Sequence, residues 1–325
     1  MPGRIRQMIY VKKGEAFSKE NLNTQFEQVF SEKTGRAVSM SAIMEAVGNG
    51  EIDGTDIVIL EYIYNAVFCI KKQLLDFCST KNIPNIENRI QKLLDFVAIN
   101  KFILTDNKKF AGAFPSDAEV FYCLHTGGWK ILQEMKDMYV DWYPGRQVTG
   151  SRRIIRYCLT ADILSKVMSI NGNVRTEITP NLIFQVGSHT RKEVRDVYIP
   201  STIRYVYPDG SDEFLIIETF ISSAKKVDNE RLCRDYSFFL NTNTWKKYLG
   251  NCPISPTMLF VVDSVETANE LFSKFSFISN NKDTKLMFLT FEDLINGRNE
   301  VPYYDFYMYN KETDTLTREN HYLFS

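Results

Sequence analysis

The chain has 325 residues, of which 44% are hydrophobic and 24% are charged, and its formal net charge is -1. This length predicts about two domains, and the apolar fraction excludes wholesale disorder. A net charge so close to zero excludes a polybasic nucleic-acid coat, although a basic face can exist within a balanced total.

The N-terminal part of the chain predicts little regular structure. Apolar residues recur at helical spacing over 21–30, so a helix is predicted there. Three glycines within 48–54 indicate a linker, and the first domain boundary is placed at this point. Residues 1–54 are therefore predicted to be an N-terminal extension and linker.

Residues 55–140 follow the element order of a winged helix-turn-helix domain. Helical periodicity predicts three helices, over 55–67, 71–79 and 85–99. Two predicted strands, 101–105 and 119–124, flank a polar tip, and another helix starts at Trp129. Three helices, a two-stranded hairpin and a helix are typical of this DNA-binding fold.

Residues 141–325 alternate predicted strands and helices. Two strands flank the turn Pro208-Asp209-Gly210-Ser211, and one long helix is predicted over 223–248. Further strands and short helices follow up to residue 295. This pattern predicts a mixed-sheet α/β domain.

Cysteine and histidine usage limits the chemistry that we expect. The six cysteines form no CxxC pair and several lie in apolar stretches, so reduced buried thiols and a cytoplasmic protein are predicted. The three histidines are far apart, so neither a metal site nor a cofactor is predicted. No run approaches about 18 apolar residues, so no membrane span is expected.

The third predicted helix carries the main candidate for a DNA-contacting surface. Its outward face is predicted to hold four polar residues at spacings i, i+3, i+4 and i+7, namely Asn85, Asn88, Arg89 and Lys92. Asn and Arg side chains contact the edges of adenine and guanine in the major groove. The alternative interpretation is an ordinary solvated helix face.

Two further pairs of basic residues are candidates for phosphate contact. Lys108 and Lys109 lie at the tip of the predicted hairpin. Arg152 and Arg153 lie within 139–200, which holds nine basic and five acidic residues. Pairing of Arg156, in the same stretch, with acidic groups of the second domain is an equally good interpretation.

Four short segments carry a likeness to a known family: Asp56–Leu60, Asn88–Leu94, Tyr122–Trp129 and Phe214–Glu218. In these segments the chain resembles the plasmid replication-relaxation family, in which a winged helix precedes an α/β domain similar to the PD-(D/E)XK nuclease fold. The resemblance implies a sequence-specific DNA-binding protein of a plasmid or mobile element. Such a protein would aid replication initiation, relaxosome assembly or transcriptional control.

The nuclease motif that this resemblance implies is incomplete. The fold is expected to present Asp after Pro on one strand and Glu-X-Lys on the next, where the carboxylates hold a divalent cation. Here Ser201 follows Pro200, and Phe220 stands at the position of the Lys that should follow Glu218. We therefore predict no catalytic and no metal-binding residue; these departures favour a protein that is not an enzyme without deciding the point.

The expected partners are double-stranded DNA, a second copy of the chain in a homodimer, and replication or conjugation proteins. Two alternatives stay open at this point. One is a metal-dependent DNA nuclease whose active site has migrated to Glu218 with Asp209 or Asp212. The other is a protein-interaction adaptor that uses its winged helix to bind protein, which the near-neutral charge favours.

Overall fold

The computed structural model describes residues 4–8, 24–29, 39–104, 120–136, 151–169, 174–187, 194–220, 226–250, 254–275, 285–296, 303–310, 312–313 and 315–322. The chain forms two compact units, one made of residues 1–13 and 20–169 and the other of residues 14–19 and 170–325. No helix within the described ranges combines the length and the hydrophobicity needed to cross a membrane.

In its described residues, the first unit combines a five-stranded sheet with six helices. The strands are β1 (Arg4–Met8), β2 (Thr24–Val29), β3 (Cys69–Ile70), β4 (Ile99–Leu104) and β5 (Val120–Leu124). The helices are α1 (Met40–Gly48), α2 (Gly54–Ala66), α3 (Lys71–Thr80), α4 (Ile86–Asp95), α5 (Thr126–Lys136) and α6 (Ser151–Ser169). The strand order is β1-β2-β4-β5-β3, and all neighbours are antiparallel.

The positions of α2, α3, β4 and β5 confirm the elements predicted there, whereas the helix predicted over 21–30 is wrong. Those residues contain β2, in which Phe26 is paired with Ile5 of β1 and with Leu104 of β4. Backbone hydrogen bonds to a strand on each side outweigh a helical spacing of apolar residues, because propensity is only a weak prior against tertiary context.

The helix α6 packs on α2 and α3, although the sequence pattern assigned its residues to the second domain. Gln73 of α3 donates a hydrogen bond from Nε2 to the carbonyl oxygen of Cys158 at 2.7 Å. The hydroxyl of Tyr62 in α2 donates to the carbonyl oxygen of Ala161 at 3.4 Å. Both contacts are buried, so the first compact unit extends to Ser169.

The second unit is built on a mixed seven-stranded sheet with helices, so the chain as a whole is a mixed α+β protein. The strands are β6 (Arg175–Gly187), β7 (Val194–Val206), β8 (Asp212–Phe220), β9 (Thr257–Val262), β10 (Leu286–Thr290), β11 (Tyr303–Asn310) and β12 (Thr315–Tyr322). Their order is β12-β11-β10-β9-β8-β7-β6. The pairs β8–β9 and β9–β10 are parallel and the other pairs are antiparallel.

The helices of the second unit are α7 (Lys226–Asn241), α8 (Trp245–Tyr248), α9 (Val265–Lys274) and α10 (Phe291–Asn296). Aromatic side chains of α7 and of the sheet share one core, among them Tyr236, Phe239 and Phe260. The single helix predicted over 223–248 is broken between α7 and α8, where Asn243 has a φ of 54°. A residue in the left-handed conformation ends the helical hydrogen-bond ladder, and Asn is one of the residues that adopt this conformation at helix ends.

Candidate functional site

A buried carboxylate at the start of α2 holds two basic residues of α4. The Asp56 side chain has no solvent exposure, while those of Arg89 and Lys92 are 16% and 23% exposed. Arg89 Nη1 lies 2.9 Å from Asp56 Oδ1, and Lys92 Nζ lies 2.5 Å from Asp56 Oδ2. Lys92 also donates to the carbonyl oxygen of Glu51 at 2.7 Å. The side chains of Asp53, Asp56, Arg89 and Lys92 form a cluster that we call the Asp56 network.

Asp53 completes this network as the N-cap of α2. Its Oδ1 accepts hydrogen bonds from the backbone N–H groups of Thr55 and Asp56, and Asp56 Oδ2 accepts one from the backbone of Asp53 at 2.9 Å. This reciprocal capping box satisfies donors that the helix leaves unpaired. Arg89 Nη1 also contacts Asp53, at 3.0 Å.

The network shifts the protonation equilibria of Asp53 and Arg89 toward the charged forms. Burial acts to raise the pKa of Asp53, but hydrogen bonds from the Asp56 backbone and from Arg89 outweigh it and hold that pKa below its ordinary value. Burial acts to lower the pKa of Arg89, and hydrogen bonds to Asp56 and Asp53 more than offset this and raise it. The ion pair between Asp53 and Arg89 is therefore present throughout the neutral pH range.

The predicted outward face of α4 is consequently divided into two sets of residues. Arg89 and Lys92 turn onto α2, whereas Asn88 is exposed on the helix; Asn85, predicted on the same face, is exposed but precedes α4 as its N-cap, with a left-handed φ of 56°. Gln91, one turn beyond Asn88, is also exposed and was missed in the sequence pattern. Its i+3 spacing from Asn88 was the signal that could have identified it. A role of these residues in DNA contact stays a prediction.

The free energies involved also distinguish the paired cations, Arg89 and Lys92, from the exposed amides. Breaking a buried ion pair by removing one partner costs about 3–5 kcal/mol, because the other charge is left uncompensated. A good bidentate contact to a base returns about 1–3 kcal/mol. Withdrawing Arg89 from Asp56 to contact a base is therefore unfavourable on balance, whereas the hydrogen bond of Gln91 to Asp95 is solvent-exposed and costs less to replace.

The other predicted phosphate-contacting residues cannot be placed in a surface. Lys108 and Lys109 lie outside the described residues, as does the polar tip between β4 and β5. Arg152 and Arg153 belong to the first turn of α6, but the description of that turn covers the backbone alone. Their contact with phosphate stays a prediction.

The opposite end of α4 is held by the His-Thr-Gly-Gly segment that begins α5. Helix α4 ends in a turn in which Val97 has a φ of 54° and Ala98 donates to the carbonyl oxygen of Leu93 at 2.8 Å. This bond and the left-handed Val97 are features of a Schellman motif. The backbone of His125 then donates to Ala98 at 2.9 Å, and that of Gly127 donates to Val97 at 3.1 Å. Helix α4 is thus fixed at both ends.

We expect the stability of the first unit to fall when the pH drops below the ordinary His125 pKa of 6.5. Burial lowers the pKa of His125, so the unfolded chain binds a proton there more readily than the folded chain. The Nδ1 atom also accepts a hydrogen bond from the backbone of Thr126 at 2.6 Å, which a protonated ring cannot do. Urea unfolding at pH 7.5 and pH 5.5 should show the loss.

The matched control for this pH dependence is His125→Gln. One proton changes the free energy of unfolding by up to about 1.4 kcal/mol per pH unit, and that contribution should be missing in the variant. An identical pH dependence in the variant and in the wild type would show that other groups cause it.

In the second unit, Glu218 is a fully buried carboxylate on the interior strand β8. Its Oε1 accepts a hydrogen bond from the backbone N–H of Thr219 at 2.7 Å, and its Oε2 accepts one from the hydroxyl of Tyr236 on α7. The adjacent strand β7 carries Ser201, which is paired with Ile217. Ser201 therefore shares a face of the sheet with Ile217, whereas Glu218 points to the other face, so the two positions of the incomplete nuclease motif lie on adjacent strands but on opposite faces.

This arrangement separates Glu218 from the other carboxylates of the migrated-site alternative. Asp212 starts the same strand six residues earlier, which corresponds to about 20 Å along an extended chain. It binds Arg204 at 2.7 Å, and Asp209 lies in the preceding turn, where it accepts hydrogen bonds from Ser211. Asp209 and Asp212 therefore cannot join Glu218 in one active site.

Across the described residues, no group of three or more His, Cys, Asp or Glu side chains is arranged to hold a metal ion. The hydroxyls of Ser201 on β7 and Thr219 on β8 are buried, and neither has a hydrogen-bond partner among the described residues. Five cysteines are buried free thiols, and Cys252 lies outside the described residues.

No protein-family model matches this chain, and no curated protein matches it either. Among solved structures, the chain is similar to the restriction endonuclease FokI bound to DNA, with 15% sequence identity and a TM-score of 0.26. The match covers 76% of this chain and 44% of the FokI chain, so this chain spans less than half of its length. That TM-score is too low to assign a fold or a function. The resemblance to the plasmid replication-relaxation family gains no support from these comparisons.

Proposed function

We propose that this protein binds double-stranded DNA through its first unit, as a winged helix in which α4 is the recognition helix. The order and pairing of α2, β3, α3, α4, β4 and β5 carry this proposal. Helices α3 and α4 are joined by a five-residue turn over 81–85, as in a helix-turn-helix. In that motif the second helix enters the major groove.

The pairing of β3 supports the same assignment. This two-residue strand lies between α2 and α3 and is joined to β5, with Cys69 opposite Tyr122. Strands β4 and β5 then form the hairpin that would be the wing, with Lys108 and Lys109 between them. A helix fixed at both ends presents its exposed amides without the ordering cost that a mobile segment pays on binding.

On the sequence resemblance, we place this binding in a plasmid or mobile element, in replication initiation, relaxosome assembly or transcriptional control. A homodimer would contact paired half-sites. The second unit would serve as a scaffold derived from the PD-(D/E)XK fold, and no phosphodiester cleavage is part of the proposal, because its carboxylates stand apart.

The test is duplex binding by the full-length protein at low salt. Fluorescence anisotropy with duplexes from its own upstream region is expected to show a saturable complex. Replacing both Asn88 and Gln91 by Glu should weaken that complex about 100-fold, because like charges brought together at an interface cost several kcal/mol. The charge-matched control is Asn49→Glu with Gln133→Glu, which adds the same two charges outside α4.

A folded protein that binds no duplex would overturn the proposal. Equal losses in the α4 variant and in the control variant would assign the binding to overall charge instead of to α4. Duplex binding unaffected by the α4 variant, together with loss of a protein partner in that variant, would favour the adaptor.

A further inference from the structure

Two exposed amide side chains are neighbours on the surface of α4. Asn88 and Gln91 are three residues apart, which places them on the same side of the helix. Gln91 Nε2 donates to Asp95 Oδ1 at 2.9 Å, in a solvent-exposed contact within one helical turn. Because that contact is exposed, water or another polar group can replace it at little cost.

The chemistry of these two groups matches one base. A carboxamide carries an acceptor and a donor side by side, which fits the N6 and N7 edge of adenine in the major groove. Guanine presents two acceptors there and is matched by the paired donors of Arg. On α4, Arg89 Nη1 is directed at Asp53 and Asp56, and Arg89 Nε donates to the carbonyl oxygen of Pro84 at 3.1 Å.

We infer that α4 selects adenine through Asn88 and Gln91, and that Arg89 and Lys92 hold α4 on α2 instead of contacting bases. This inference rests on the proposed function, because it names the bases that the same helix contacts. The carboxylate of Asp56 stays covered in the complex, since removing its two cations costs more than a base contact returns.

The acidic residues of α4 fit this assignment. Glu87 is exposed and lies 2.8 Å from Lys71 of α3, so its charge is balanced within the unit. The other carboxylate of α4, Asp95, accepts the hydrogen bond from Gln91, so the exposed face of α4 carries amides and carboxylates and no unpaired cation among the described contacts. Such a surface discriminates between bases and adds little attraction for phosphate, which must come from basic residues elsewhere in the protein.

The experiment is selection of bound sequences from a pool of duplexes with about 20 random base pairs, enough for one or two half-sites, using the full-length protein. The wild type is expected to enrich a motif that contains adenine at two positions. Asn88→Ala should lose the preference at one of them and Gln91→Ala at the other. Each variant should bind the wild-type motif about tenfold more weakly. Asn49→Ala, an exposed amide outside α4, should leave the motif unchanged.

Three results would overturn the inference, and they are distinguishable. A motif that neither amide variant alters would overturn it and leave DNA binding by the protein intact. A motif dominated by guanine, with adenine at neither position, would do the same. Failure of the folded wild type to retain any duplex would overturn the proposed function, and the inference with it. Circular dichroism spectra that match the wild type would show that the two variants are folded.

Discussion

Replacing Asp56 by alanine is expected to lower the free energy of unfolding of the first unit by about 3–5 kcal/mol. The substitution removes a carboxylate with no solvent exposure that accepts hydrogen bonds from Arg89, from Lys92 and from the backbone of Asp53. It removes the carboxylate that pairs with Lys92, leaves Arg89 with Asp53 as its remaining carboxylate partner, and opens the capping box of α2. Urea unfolding, with amide exchange of α2 and α4 as the local probe, measures the loss.

The matched control is Asp76→Ala in the same unit. Asp76 is 53% exposed and pairs with Lys72 at 3.2 Å within one helix turn, so its removal should cost no more than about 0.5 kcal/mol. Equal losses in the two variants would contradict the view that burial makes the Asp56 network a main support of α4.

Replacing Gly128 by alanine is expected to cost about 3 kcal/mol or more. A Cβ atom at this position would lie 2.3 Å from the carbonyl oxygen of Ala98 and 2.7 Å from a methyl carbon of Leu124. Both distances are far below van der Waals contact, and backbone cannot move aside as a flexible side chain can. The strain of overpacking a closely packed site commonly reaches about 1–3 kcal/mol and occasionally exceeds it.

Gly54→Ala is the control for this second substitution. Gly54 is the first residue of α2, and a Cβ atom there would have no neighbour within 4 Å, so alanine should be neutral or stabilising by up to about 1 kcal/mol. A thermal or urea transition for Gly128→Ala within about 0.5 kcal/mol of the wild type, the usual range of a harmless substitution, would mean that α5 can move away from the end of α4 without loss.

Hydrophobic periodicity predicted α2, α3, β4 and β5 of the first unit, because apolar residues recur there at helical or strand spacing. Ile59, Leu60 and Ile63 of α2 are buried, as their spacing predicted. The hairpin turn at Pro208-Asp209-Gly210-Ser211 was predicted for a similar reason, since Gly210 adopts a φ of 84° and Asp209 caps the turn. Such elements can be predicted because residues close together in the sequence determine them.

The end of α4 and the partners of its basic residues could not be predicted in that way. Val97 adopts a left-handed conformation that β-branched residues rarely take, so no glycine marked the end of the helix, which the periodicity extended to residue 99. The turn is stabilised by α5, about thirty residues later in the chain. Likewise, Arg89 is hydrogen-bonded to Asp53 and Asp56, which lie more than thirty residues earlier in the chain. The spacing of polar residues within one helix does not show whether a cation faces solvent or another helix.

The Asp56 network also determines how DNA binding by α4 would respond to ionic strength. Each protein cation that neutralises a phosphate releases condensed counterions from the duplex. It makes the slope of log K against the logarithm of the salt concentration steeper by about 0.9. Arg89 and Lys92 already have carboxylate partners inside the protein, so they release no counterions on binding. The preference among sequences would then be insensitive to ionic strength, because salt weakens the phosphate contacts of the specific and of the non-specific complex alike.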